Sequence, residues 1–359
     1  MSRKVACAIS GGVDSLVSAL LLKKRGFEVT GVFMINWDHV EEGNSNCPRT
    51  RDQADAEFVC RQLDIKLHVV NFVKEYWNMV FTDLINGYQQ GQTLVPDIEC
   101  NRVIKFGLLH DYVRNQLKID NIATGHYAQN SWGNYLERVS EEKSPLLCTA
   151  RDTYKDQTYF LSTLNADQLK RSMFPVGGLL KPEVKKIAEE NGFSELSKKQ
   201  EHGDFTFRKS RGQSSEVHSG KLIGEHKGTH NYTLGKRIIV DQQLFPNHEG
   251  MFVTRCDSVN NTIYVCEGPY NQLLYAKKIK LGPIHWISNA PSEKTLQLSF
   301  RCQRTHPVVE CQLEIINESE TILKSSLPIR AAAPGQTCVF YQKNVCLGSS
   351  RIIDVLETL

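Results

Sequence analysis

The sequence predicts an α/β protein, a doubly wound parallel sheet followed by two small β-rich domains. Three observations predict it. Short apolar runs alternate with helical periods through the first third of the chain. A Gly-Gly turn follows the first apolar run, where such folds bind ligands. After about residue 200 the pattern changes to short β-branched runs broken by Gly and Ser, the signature of small barrels.

Val5 to Ile9 reads as a buried strand, and Leu16, Ala19, Leu20 and Lys23 give a helical period that Gly26 ends. Val29 to Met34 is a second strand, Asp52 to Leu63 a helix and Leu67 to Phe72 a third strand. A helical stretch from Tyr76 to Tyr88 follows, then a short strand over Asn121 to Thr124. Helical signals run from Ala166 to about Asn191. Beyond them Tyr232-Thr233, Ile238 to Val240 and Thr262 to Val265 read as strands. So do Leu296 to Cys302, Val308 to Ile316 and Thr337 to Tyr341. The expected domains are 1–200 (nucleotide-binding with a helical extension), 201–276 (β-rich) and 277–359 (a C-terminal β-barrel).

Composition narrows the function classes. With 40% hydrophobic and 23% charged residues the chain has the balance of a folded, soluble protein. No apolar run reaches the roughly 18 residues that a membrane span needs, so no membrane partner is expected. A net charge of +3 permits nucleic-acid binding without arguing for it. The 11 cysteines are scattered with no CxxC pair, which excludes a zinc ribbon and fits a reducing compartment. A motif already begins at Ser10, so no cleavable leader is legible.

That motif is Ser10-Gly11-Gly12-Val13-Asp14-Ser15, set between a strand and a helix start. Two glycines let backbone N–H groups approach an anion, the helix N-terminus adds positive potential, and Ser10 and Ser15 offer hydroxyls. The string resembles the PP-loop of ATP pyrophosphatases, which activate an oxygen as an adenylate. It lacks the GK[ST] ending of a Walker A loop.

Further strings narrow the resemblance. They are Gly31 to Met34 with Asn36-Trp37-Asp38, Asp97-Ile98-Glu99-Cys100-Asn101 with Ile104-Lys105-Phe106, and Ala123-Thr124-Gly125-His126-Tyr127-Ala128. Lys155 to Ser162 (KDQTYFLS), His226-Lys227-Gly228, Tyr232 to Arg237 and Pro334-Gly335-Gln336 follow in order. Together they resemble the tRNA 2-thiouridylases along nearly the whole chain, and Val73 to Asn78 is similar to the mitochondrial members of animals.

The resemblance implies an enzyme that uses ATP, with magnesium, to adenylate the wobble uridine of mitochondrial tRNAs and replace its O2 with sulfur. It implies a persulfide donor, either a cysteine desulfurase or a relay protein. ATP would contact Ser10 to Ser15, Met34, Gly125 and His126, although a lone histidine at a strand end is also an ordinary structural residue. Cys100 would be the nucleophile and Asp97 its acid–base neighbour. From the residues themselves, a helix start and nearby Lys105 would favour the Cys100 thiolate, while Asp97 also reads as a simple cap. Lys155, Asp156 and Gln157 would contact tRNA, and Lys236, Arg237 and Arg301 are expected on its phosphates.

One departure stands out. The family's KKxSxGxCFIG segment begins here as Lys198-Lys199-Gln200-Glu201 but runs into His202-Gly203-Asp204-Phe205. No cysteine lies between Cys148 and Cys256. About two dozen residues with the second sulfur-carrying cysteine are expected to be absent. The alternative to a working thiolase is then a chain that binds tRNA and ATP but thiolates poorly or not at all.

Overall fold

The structure, a computed structural model, describes residues 4–37, 48–199, 214–218, 221–226, 228–239 and 249–359. The junction expected at Gln200 to Phe205 lies outside the described residues, as do Asp38, Lys227 and Val240. In the first part, β1 (Lys4–Ala8), β2 (Glu28–Ile35), β3 (Lys66–Asn71), β4 (Ile122–Ala123) and β7 (Ser172–Met173) form a parallel sheet. Its order is β3-β2-β1-β4-β7. The chain winds outward from β1 on one side, then crosses to β4 on the other. The crevice past the carboxyl ends of β1 and β4 is therefore the place for a ligand.

Val5, Ala6 and Cys7 are fully buried, as a central parallel strand covered on both faces requires. Helix α1 (Val13–Lys24) buries Leu16, Val17, Ala19, Leu20 and Leu22, and Gly26, at φ +78°, turns the chain into β2. Helix α2 (Pro48–Gln62) leads to β3. The helical signals from Ala166 to Asn191 fall into two helices, the second with Pro182 near its start as expected, and a strand not expected lies between them. One turn, Ala166–Leu169, gives way to β7, and a helix resumes at Lys181–Glu190. Pairing of Ser172 and Met173 with Ile122 and Ala123 completes the sheet edge and outweighs local helical preference. Tyr232-Thr233 is likewise not a strand, and follows a single turn over Thr229–Asn231.

The second β unit is the sheet β10-β11-β12-β8-β9, from β8 (Ser214–His218), β9 (Lys221–His226), β10 (Arg237–Ile238), β11 (Met251–Asp257) and β12 (Thr262–Glu267). The third is a closed barrel. Strands β13 (Tyr275–Leu281), β17 (Glu320–Arg330), β16 (Val309–Asn317), β15 (Thr295–Arg301), β18 (Thr337–Gln342) and β19 (Val345–Thr358) pair in turn, and β19 returns to β13. β14 (His285–Trp286) also pairs with β19.

The barrel does not stand apart from the parallel sheet. The hairpin of β5 (Ala128–Asn130) and β6 (Leu147–Thr149) leaves β4 and pairs with β19, Leu147 facing Cys346. One hydrophobic core contains Ala6 and Phe106 from the sheet side together with Val339, Tyr341 and Cys346 from the barrel. A buried ion pair, Arg301 with Asp156, crosses the same junction. Asp156 Oδ1 also accepts from Ala150 N (3.0 Å), and Arg301 Nε donates to Tyr341 Oη (3.1 Å).

Candidate active site

The loop after β1 is built by its own side chains. Gly11 has φ +75° and lies against the backbone of Asp52, so a side chain there has neither conformation nor space. Ser15 Oγ accepts from Ser10 N (3.1 Å) and donates to Gly12 O (2.9 Å), with Ser10 Oγ at 3.2 Å. Ser15 is buried and serves as a loop staple, whereas its expected task was a hydroxyl offered to phosphate. The N–H groups of Gly11, Gly12, Val13 and Asp14 have no acceptor among the described residues. They form the anion cradle at the start of α1. The Val13 side chain is core.

Gly125, at the end of β4, closes the cradle from the far side. A Cβ on it would sit 2.7 Å from Ser15 N and 2.8 Å from Asp14 C. At Gly125 the two loops approach chiefly backbone to backbone. Asp14 is held by residues that the sequence analysis missed: Lys181 Nζ donates to both carboxylate oxygens at 2.8 Å, and Tyr127 Oη donates to Oδ1 at 2.9 Å. Lys181 is buried, and its own N–H donates to Asp152 Oδ2 (2.9 Å). This neutralises a carboxylate that would otherwise repel phosphate. The available signal was Lys181-Pro182 at a helix start, too common a pattern to single out.

Cys100 begins a helical stretch, Cys100–Leu108, in which Leu109 N bonds back five residues to Ile104 O. Such widened turns recur at functional sites. The run that carries it is fixed by the barrel. Arg351 Nη2 donates to Glu99 Oε1 (2.9 Å), Thr93 N donates to Pro334 O (2.8 Å), and Gly335 packs on Gln92 and Thr93. Cys100 itself is 9% exposed. Burial pushes its thiol up, Lys105 pulls it down by less, and Asp97 pushes it up again. The expected thiolate is therefore reversed in the resting protein, because desolvation outweighs the cation.

Asp97 is exposed; burial raises the hydroxyl of Tyr76, and Cys100 and Asp97 raise it further. Lys105 acts on both Cys100 and His126, which ties the cysteine to the nucleotide crevice. His126 is 8% exposed, and its Nδ1 lies 2.8 Å from Thr124 Oγ1. Its ring centroid lies 5.8 Å from that of Phe106. Burial and then Lys105 hold it well below the usual histidine range, so it is a neutral imidazole. Met34 packs against the cluster that contains Cys100 and Tyr76. Asn101 Nδ2 donates to Phe160 O (3.1 Å), and its buried Oδ1 has no partner among the described residues.

Two of the residues expected on tRNA meet each other in the interior instead. Asp156 and Arg301 are 3% and 7% exposed and spend their charges on each other. Gln157 clasps the loop after β4: its Oε1 accepts from Tyr127 N (2.9 Å), and its N–H donates to Tyr127 O (2.8 Å). Lys155 donates its N–H to Asp152 Oδ1 (3.1 Å) and is half-buried. Lys236 and Arg237 are exposed in the middle unit, where Lys236 Nζ donates to Asn231 O (2.8 Å) and Arg237 covers Gly250.

Comparison with known proteins gives the same layout. Three family models match in succession: a tRNA methyl transferase HUP domain at residues 3–209, a tRNA methyl transferase PRC-barrel domain at 205–267, and an aminomethyltransferase β-barrel domain at 276–352. The probable mitochondrial tRNA-specific 2-thiouridylase 1 of Caenorhabditis elegans is 44% identical over 374 residues, covering 99% of this chain and 100% of its own length. The chain belongs to the tRNA-specific 2-thiouridylase family. The human mitochondrial 2-thiouridylase 1 is 37% identical over 385 residues, with 98% of this chain and 90% of that protein covered. The Legionella pneumophila 2-thiouridylase MnmA is 36% identical, with 99% and 100% covered. The nematode alignment spans 374 positions against 359 residues here, so at least 15 of its positions face a gap in this 2-thiouridylase family member.

Proposed function

We propose that this chain is an ATP-dependent tRNA sulfurtransferase that thiolates the wobble uridine at C2. The observation that carries the reading is the joining of two chemistries in one place. An anion cradle closed by Gly125 sits next to His126, whose ring lies 5.8 Å from that of Phe106 in the widened helical stretch that starts at Cys100. The thiouridylase names of the relatives fit that pair better than the methyl transfer in the family models' descriptions, which has no use for it.

In this reading the N–H groups of Gly11 to Asp14 hold the ATP phosphates, with Met34, Gly125 and His126 around the nucleotide. Uridine O2 attacks the α-phosphate and pyrophosphate leaves. The outer sulfur of a persulfide on Cys100 then attacks C2 and AMP leaves, with Asp97 as the neighbouring acid–base group. An external thiol attacks Cys100 Sγ and releases the thiouridine. The resulting mixed disulfide is reduced by a second thiol, which completes the two-electron balance. That resolving role falls outside the chain because no cysteine lies between Cys148 and Cys256. The persulfide comes from a cysteine desulfurase or relay protein.

Among the described residues no group of three His, Cys, Asp or Glu could cage a metal ion, and Asp14 is occupied by Lys181 and Tyr127. Magnesium would accompany the ATP and offset the charge of its phosphates. The mitochondrial names of the animal relatives support the same compartment for this chain.

Single-turnover thiolation of a uridine-34 tRNA with ATP, magnesium and a persulfide donor tests the reading. Thiouridine is expected from the native chain. Cys100→Ser should still release pyrophosphate and make none. If the native chain also releases pyrophosphate without thiouridine, the chain is instead a variant that activates tRNA but does not thiolate it.

A further inference from the structure

Beside Cys100 lies a set of aromatic rings that the reaction above does not use. Trp37, just past the end of β2, stacks on Trp77 with centroids 5.6 Å apart and planes at 27°. Phe81 closes against both, at 4.8 Å from Trp37 and 4.5 Å from Trp77. Trp37 also meets Tyr76 edge-on at 6.1 Å. Tyr76, Phe81 and Cys100 belong to one buried cluster, and Trp37 packs against it. The platform thus adjoins the cysteine's own packing environment.

Three features set it apart from ordinary core. Trp77 is 46% exposed and Met79 42%, although burial would be the default for both. The rings sit on a second widened turn, Trp77–Phe81, where Thr82 N bonds back five residues to Trp77 O. Next to Trp37, the buried Oδ1 of Asn36 has no partner among the described residues, and the N–H edge of a base would supply one.

We propose that the exposed Trp77, backed by Trp37 and the buried Phe81, forms a stacking subsite for the unpaired base that flanks the target uridine. The proposal rests on the reading of the chain as a tRNA-modifying enzyme. A uridine presented to Cys100 must leave its stack, and its neighbour then exposes a π face that needs a new partner. Single-stranded RNA is held in this way on aromatic side chains.

The test uses an RNA stem-loop with a uridine in its loop, and the same RNA with abasic nucleotides on either side of that uridine. Binding is read by anisotropy of the labelled RNA and by quenching of tryptophan emission. Trp77→Ala is expected to weaken binding of the intact loop about 10- to 100-fold. Trp77→Phe keeps a ring and should stay within about threefold of the native chain. The abasic loop should bind weakly to the native chain and lose little more in Trp77→Ala. Native affinity of Trp77→Ala for the intact loop overturns the proposal. So does a variant that binds RNA normally, accepts sulfide, and fails only with a protein persulfide donor; that result assigns the patch to the donor. Trp77-dependent binding without any thiouridine would overturn sulfur transfer and leave the stacking subsite standing.

Discussion

Cys100 shows how far a side chain's chemistry depends on neighbours that its motif does not contain. The motif Asp97 to Asn101 was legible because its residues are consecutive, but the protonation state was not. Burial raises the thiol, and the local cation Lys105 offsets only part of that. Alkylation of Cys100 by iodoacetamide, followed by mass of its peptide, should be slower at neutral pH than for an exposed thiol. The rate should climb as pH rises beyond the ordinary thiol range, because only the thiolate reacts. Lys105→Met removes the lowering charge, so its rate should be lower still at each pH. A rate insensitive to Lys105 would count against their coupling. Lys181 illustrates the opposite case. Its partner Asp14 is 167 residues away, and no local pattern announces a contact of that span.

At the scale of elements, the decisive contact is between two turns. Gly125 brings the end of β4 onto the start of α1 so closely that a methyl group would meet backbone atoms. Backbone cannot swing aside as a side chain can, so Gly125→Ala should act by prying the cradle open. The expected cost is about 1 to 3 kcal/mol. That corresponds to roughly a 5- to 150-fold loss in ATP affinity, measurable by titration with a non-hydrolysable analogue, with little change in the melting of the barrel. Unchanged affinity would mean that the cradle tolerates a shift of the β4 loop. The sheet's first strands were readable because apolar runs and helical periods alternate cleanly there. β7 was not, since two residues carry too little periodicity and their strand character comes from pairing with β4.

At the scale of the whole molecule, sequence reading placed charges on the surface that belong to a seam. Asp156 and Arg301 sit in polar strings, which look like nucleic-acid contacts, yet they meet across the junction of sheet and barrel. Breaking one side of a buried pair costs about 3 to 5 kcal/mol, whereas neutralising both costs much less. Arg301→Met should therefore lower the melting transition by about 5 to 10 °C. Adding Asp156→Asn, which still accepts from Ala150 N, should recover more than half of that loss. A double variant as unstable as the single would show that Arg301 contributes through packing on Tyr341 instead. Sequence pattern suggested three domains, but it could not reveal that the β5–β6 hairpin lies in the sheet of the barrel. This has a consequence for biosynthesis. Leu147 pairs with Cys346, about 200 residues later. At about 5 to 20 residues per second, the ribosome leaves β6 without its partner strand for about 10 to 40 s. Through that interval the nascent chain carries an open sheet edge able to pair with another chain, so its yield depends on what shields that edge until β19 arrives.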